Sequence, residues 1–110
     1  MEEFGIHYTD LNPALGHEQG GTRPVIIVKL LKELDLCLVV PLTSVSEHIN
    51  LPYTVQVNKT SSTNLKENSV ALVFHLRTIS SIRIKDKIGM VEEYQMKKIR
   101  SIIKTIFSIE

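Results

Sequence analysis

The sequence predicts a mainly β fold: a small, strongly bent barrel that ends in one amphipathic helix. Two observations predict it. Short apolar runs recur from the N-terminus to about Ile84, each set off by turn-forming residues, as in a succession of short strands. From Met90 onward the apolar residues recur every three or four positions, the period of a helix lying on a core. At 110 residues the chain has the size of one domain, 1–110, able to bury roughly two-thirds of its unfolded surface.

Each element has its own justification. Phe4, Ile6 and Tyr8 alternate with polar neighbours and lead into a turn at Asn12-Pro13. Val25 to Leu31 and Leu36 to Leu42 are apolar on nearly every residue, so both read as buried strands, joined by a turn through Lys32-Glu33-Leu34-Asp35. Tyr53 to Val57 alternates cleanly, the polar stretch Asn58 to Asn68 reads as a loop, and Ser69 to Phe74 reads as a further buried strand. Arg77 to Ile84 is a short additional one. In the C-terminal segment Val91, Tyr94, Gln95, Ile99, Ile102, Ile103 and Ile106 form one face, with lysines and Arg100 between them. Gly89 marks the boundary before this helix, which has no strong N-cap residue.

Composition narrows the class without naming a function. A chain that is 43% hydrophobic with a formal net charge of +1 is neither disordered nor collagen-like. The charge is unevenly placed: Arg77, Arg83, Lys85, Lys87, Lys97, Lys98, Arg100 and Lys104 stand against only Asp86, Glu92 and Glu93 in the same segment. Such asymmetry suits a polyanion on one surface, or equally a solvated helix face beside a charged turn. Cys37, the sole cysteine, lies within an apolar run and is expected to pack as a small hydrophobe. Met1-Glu2-Glu3-Phe4 lacks the basic and apolar parts of a signal peptide, and no apolar run approaches a membrane span. A cytoplasmic protein with no membrane partner is the expectation.

Chemistry concentrates in Gly16-His17-Glu18-Gln19-Gly20-Gly21-Thr22-Arg23-Pro24, which runs directly into the strand at Val25. Three glycines allow positive φ and close approach to a ligand, while an imidazole, a carboxylate, an amide and a guanidinium fall within seven positions. Pro24 fixes φ and donates no hydrogen bond, which places Arg23 at the hinge between loop and sheet. A guanidinium is a planar, permanently charged fork that pairs with two phosphate oxygens at once. Thr43 and Ser44 end an apolar strand just after Pro41 and supply two hydroxyls. His7, His48 and His75 show no metal-ligand spacing with each other or with Cys37, so no zinc or other cofactor is assigned.

The glycine loop with Arg23-Pro24, preceded by Asp10-Leu11-Asn12-Pro13 and followed by Val39-Val40-Pro41-Leu42-Thr43-Ser44, resembles the MazF or PemK toxin family, the ribonuclease half of bacterial toxin-antitoxin pairs. Asn68-Ser69-Val70-Ala71-Leu72, Arg77-Thr78-Ile79, Arg83 and Ile88-Gly89 follow in the family's order. The resemblance implies an SH3-like barrel of the CcdB/MazF type that pairs as a homodimer. It also implies a metal-independent, sequence-specific endoribonuclease for single-stranded RNA, held in check by a cognate antitoxin whose tail folds over the RNA groove. Any contact with operator DNA is then expected through the antitoxin.

The resemblance places catalytic roles on Arg23 and Thr43, and a role in activity on Glu18, as the group that orients or deprotonates the attacking 2′-hydroxyl or as an organiser of the loop. His17, Gln19, Gly20 and Ser44 become expected RNA contacts. Many family members carry an acidic residue and glutamine shortly before the Arg-Thr-Ile stretch, where this chain has Phe74-His75. His75 is therefore expected to stack on a base or donate to one, with Arg77 beside it on the RNA path. A different class remains as an alternative: a non-catalytic relative of the same fold, either a degenerate binding module or a gyrase poison of the CcdB type. The latter relies on a tryptophan near its C-terminus, and this chain has none.

Overall fold

Among the described residues, seven strands and one helix form in the order β1 (Gly5–Asp10), β2 (Thr22–Leu31), β3 (Leu36–Ser44), β4 (Thr54–Val57), β5 (Ser69–Leu72), β6 (Arg77–Ser80), β7 (Ile84–Met90) and α1 (Glu93–Ile106). The structure is a computed structural model and describes residues 1–11, 22–44 and 51–108, so the expected Asn12-Pro13 turn lies outside the described residues. The strands follow the order β4-β5-β3-β2-β1-β7, with β6 also paired to β3, and every pairing is antiparallel.

The continuous apolar character of β2 and β3 has a direct cause: both faces of these strands are buried. Ile26, Val40 and Leu42 pack with Val55, Val57 and Ala71 beneath Met96 and Ile99 of α1. Their neighbours Val25, Ile27, Cys37 and Val39 point the other way and join Leu11 and Ile79. β3 also bends the sheet. Its first half, Leu36 to Val39, pairs with β6, and its last three residues, Leu42 to Ser44, pair with β5. A register shift between Ile27 and Lys29 in β2, and two more between β1 and β7, add local twist and curl the sheet toward a barrel.

Three boundaries differ from the sequence expectation, each for a physical reason. β5 stops at Leu72, because Val73–His75 winds into a single 3-10 turn. The segment expected as one strand from Arg77 to Ile84 is two strands, separated by a 3-10 turn at Ser81–Arg83 where the Ser80 hydroxyl accepts from the Ile82 amide at 3.4 Å. β7 then runs on to Met90. Its central residues Lys85, Asp86 and Lys87 are all exposed, which hides the alternation that marks a strand.

The helix starts at Glu93 and does have a cap. The Glu92 carboxylate accepts from the backbone of Gln95, and the Gln95 side chain accepts in return from the Glu92 amide at 3.4 Å. This reciprocal box works with glutamate at the cap, and its charge suits the positive end of the helix dipole. Gln95 is buried and its amide also donates to the Gln56 carbonyl at 3.4 Å, fastening α1 to β4. Tyr94 and Ile106 leave the apolar face and are exposed, and Met96 fills the buried position. The Tyr94 ring instead lies 5.7 Å from the Lys98 ammonium.

β4 and β7 are the two ends of the strand path and do not pair with each other. The connection from Asn58 to Asn68 bridges the seam. The Met90 amide donates to the Ser62 carbonyl at 2.9 Å, and the Asn64 side-chain amide donates to the Ile88 carbonyl at 3.1 Å. Between these two bonds lies Gly89, where an added Cβ would stand 2.3 Å from the Thr63 oxygen and 2.5 Å from the Ser62 oxygen. Both obstacles are backbone. Gly89→Ala should therefore lower stability by about 1–3 kcal/mol, the usual cost of overpacking, read as a lower urea midpoint with an unchanged m-value. An unchanged midpoint would mean that the loop gives way freely.

Candidate functional site

The pairing of β2 with β3 runs outward as far as Val25 opposite Pro41. Pro24 and Pro41 each lack a backbone donor at this point. Beyond it β3 keeps β5 as its neighbour, while β2 keeps β1. The parting of these strands opens a cleft of about 730 Å³, within the range of roughly 300–1,000 Å³ usual for ligand sites.

Arg23 and Thr43 stand at the two sides of this parting, and both line the cleft. Continuing the Val25–Pro41 register two residues outward sets Arg23 against Thr43. Each is placed by its other neighbour: Arg23 pairs across to Thr9 of β1, and Thr43 to Val70 of β5. The odd-numbered positions that supply Val25, Ile27, Cys37 and Val39 to the core thus become a guanidinium and a hydroxyl at the rim. Thr43 is buried, Arg23 is half-buried, and Ser44 lies next along β3 opposite Ser69. A cation and hydroxyls held at strand ends in a partly dry cleft can receive a phosphodiester with little reorganisation.

The rest of the lining has different chemistry. It comes from Asn64, Leu65, Lys66 and Glu67 of the seam loop and from Asp86, Lys87 and Ile88 of β7. Lys87 is engaged with Glu2 in an ion pair that also holds the Glu2 carboxyl below the usual carboxylate range, chiefly through the hydrogen bond and then through charge. That pair is present above the ordinary carboxylate pKa and is lost as pH falls through the lowered value of Glu2. Two other candidates for chemistry are structural. His7 is buried in β1, its Nδ1 donating to the Lys85 carbonyl at 2.9 Å. Cys37 is buried in the core, and desolvation pushes its thiol pKa up, away from the reactive thiolate.

Of the residues singled out in the sequence, Arg23, Thr43 and Ser44 are brought together. His75 sits on the Val73–His75 turn, its ring 4.6 Å from that of exposed Phe74, and Arg77 sits on β6 opposite Val39; neither lines the cleft. Glu18, His17, Gln19 and Gly20 lie outside the described residues. The wall residues Asn64, Lys66, Glu67 and Asp86 carry no motif, so only the folded seam reveals them. Among the described residues no helix is long and apolar enough to cross a membrane.

Comparison with known proteins agrees with this architecture. A family model described as a PemK-like, MazF-like toxin of type II toxin-antitoxin systems matches residues 2–107. The chain is 30% identical over 106 residues to a protein named endoribonuclease MazF from Staphylococcus saprophyticus, covering 94% of this chain and 88% of that one. Its fold matches a crystal structure of MazF from Deinococcus radiodurans with a TM-score of 0.84 at 18% identity, over 99% of this chain and 97% of that one. It also matches a mycobacterial endoribonuclease solved in complex with its cognate antitoxin, with a TM-score of 0.76 at 18% identity, over 100% and 97% of the two chains. A family match across nearly the whole length, joined to a curled sheet whose parted strands carry the loop arginine and the strand-end threonine, leads to one statement: the chain belongs to the family of PemK-like, MazF-like toxins of type II toxin-antitoxin systems.

Proposed function

We propose that the chain is a toxin endoribonuclease that cuts single-stranded RNA in the cytoplasm and is inhibited by a cognate antitoxin. The observation that carries this reading is the placement of Arg23 and Thr43 on facing strand ends of one cleft, in a chain of this family. Cleavage of an RNA phosphodiester needs an activated 2′-hydroxyl, stabilisation of the pentavalent phosphorane and a proton for the departing 5′-oxygen. Arg23 neutralises charge on the equatorial oxygens and Thr43 donates a hydrogen bond to one of them. Glu18 aligns or deprotonates the 2′-hydroxyl. Ser44, with His17, Gln19 and Gly20 of the glycine loop, contacts the RNA near the scissile bond. His75 and Arg77 extend the RNA path beyond the cleft.

The nucleophile in this mechanism belongs to the substrate, so no metal-activated water is required. The products are a 2′,3′-cyclic phosphate and a free 5′-hydroxyl. The purified chain, incubated with mixed RNA in chelator and followed by sequencing of new 5′ ends, should yield discrete cut sites. RNA that stays intact under these conditions favours the alternative of a non-catalytic binding module. A 2′-deoxy or 2′-methoxy nucleotide just upstream of the scissile bond should block cutting there and leave binding largely unchanged. Efficient cleavage of that RNA, or of DNA, would remove the 2′-hydroxyl from its assigned role.

Arg23→Ala should lower the cleavage rate by roughly a hundredfold or more, the usual loss when one transition-state donor is removed. Thr43→Val keeps the branched shape, removes only the hydroxyl, and should reduce the rate in the same way with little change in the unfolding midpoint. Near-normal cleavage by Arg23→Ala would overturn the catalytic assignment.

A homodimer in which both subunits help line the RNA groove completes the reading. Binding to single-stranded RNA should then weaken as salt rises, with a log–log slope of roughly −0.7 for each phosphate neutralised. Sedimentation should report a dimer at micromolar concentration, whereas a fully active monomer would sink the shared groove.

A further inference from the structure

The seam loop is built more rigidly than a connection between β4 and β5 requires. Thr63 is fully buried, and its hydroxyl donates to the Asn58 carbonyl at 2.8 Å while accepting from the Thr60 amide at 2.9 Å. The Thr60 hydroxyl oxygen accepts in return from the amides of Ser62 at 3.2 Å and Thr63 at 3.1 Å. Asn64 adopts a left-handed conformation, φ 53°, which asparagine tolerates better than most residues, and its side chain is spent on the Ile88 carbonyl. Gly89 admits the loop backbone to close contact. A polar network anchored on a buried, fully satisfied hydroxyl such as that of Thr63 fixes position. The loop leads directly into Lys66 and Glu67, exposed residues that line the cleft, and the Ser69 hydroxyl donates to the Glu67 carbonyl at 3.0 Å.

The charges on this wall decide what it can recognise. A wall made for phosphate would be uniformly cationic. Here Glu67 and Asp86 contribute two carboxylates, Lys87 is paired with Glu2, and Lys66 is the remaining cation among the wall residues. Carboxylates repel phosphate, but they accept from the exocyclic amino groups of cytosine, adenine and guanine. Uracil offers no amino group and turns carbonyl oxygens toward the same place. Single-stranded RNA presents such Watson–Crick edges for reading.

We propose that the seam loop is the base-reading wall of the cleft. Glu67 selects an amino-bearing base against uracil at a nucleotide flanking the scissile phosphate, while Arg23 and Thr43 hold the phosphate itself. Asn64 is a positioning residue that acts through Glu67. This inference rests on the endoribonuclease reading and deepens it.

The test uses the full-length chain and a pool of single-stranded RNA with randomised sequence, scored by base frequencies around every new 5′ end. Wild-type cut sites should under-represent uracil at one flanking position. Glu67→Gln, which adds a donor and removes the charge, should raise uracil there by about fivefold or more. Asn64→Ala should blur the same position and raise KM more than it lowers kcat, a split that simple loss of stability does not produce. Base frequencies that stay unchanged in Glu67→Gln, or uracil freely accepted by wild type at every flanking position, would overturn the proposal. A uniform fall in rate with unchanged frequencies would also overturn it, since that pattern marks a phosphate contact. Wild-type chain that cuts none of the pool fails at the earlier step, so loss of the nuclease reading is told apart from loss of this one.

Discussion

The contact between Gly89 and the backbone of Ser62 and Thr63 is the constraint on which the working shape of this protein depends. The strand path runs from β4 to β7 without closing on itself, and an open antiparallel sheet with free edges is both an aggregation liability and a poor support for a site. A loop laid across the seam solves both problems only if it can approach β7 closely. The absence of a side chain at one position permits that approach, and the two hydrogen bonds on either side of it, at Ile88 and Met90, hold the loop there. The same contact gives the cleft its second wall.

The first wall follows from how β3 is shared. A strand that pairs with β2 and β6 in its first half and with β5 in its last three residues must leave one partner behind, and the two prolines place that departure beside Arg23 and Thr43. The apolar stripe on the preceding residues anchors the strand ends in the core, so the groups at the rim inherit its rigidity. The catalysis proposed for Arg23 and Thr43 suits this arrangement, because a guanidinium that had to move into place during a reaction would lose much of its advantage. Fold and chemistry are therefore linked through strand registry, a link that a glycine-rich loop by itself would not provide.

Each element is legible in the sequence to the extent that its signal is local. β2 and β3 were legible because burial on both faces writes an apolar run directly into the chain, and the helix was legible through its period. β7 was not, since Lys85-Asp86-Lys87 faces solvent and alternation disappears when neither face is clearly apolar. The Glu92 cap has no single-residue signature, because here glutamate caps the helix together with a reciprocating partner, Gln95, three residues on. Tyr94 matched the helical period yet points to solvent, a case in which periodicity located the stripe but not its edge. At the site, Arg23, Thr43 and Ser44 were visible as a motif and a strand end. Asn64, Lys66 and Glu67 have no such signature, because their place in the cleft comes from a fold across a seam of more than twenty residues, from Asn64 to Ile88, and local pattern carries no information at that separation.

The proposed separation of phosphate-holding from base-reading groups has a further physical logic. Phosphate attraction is long-ranged and indifferent to sequence, so it supplies affinity and falls with salt. Hydrogen bonds to base edges act only at contact and discriminate by the donor they find. If both kinds of group shared one wall, the carboxylates needed to read amino groups would weaken the field that holds the scissile phosphate. In the proposed arrangement the two kinds of group belong to different elements, Arg23 to the start of β2 and Glu67 and Asp86 to the seam loop and β7, where Lys87 is further quieted by Glu2. Rigidity matters more on the reading side, because a contact that discriminates between bases loses its selectivity once its groups can shift to suit either one. The hydroxyl network of Thr60 and Thr63, centred on the buried Thr63, belongs to that same loop, where the demand for fixed position is greatest.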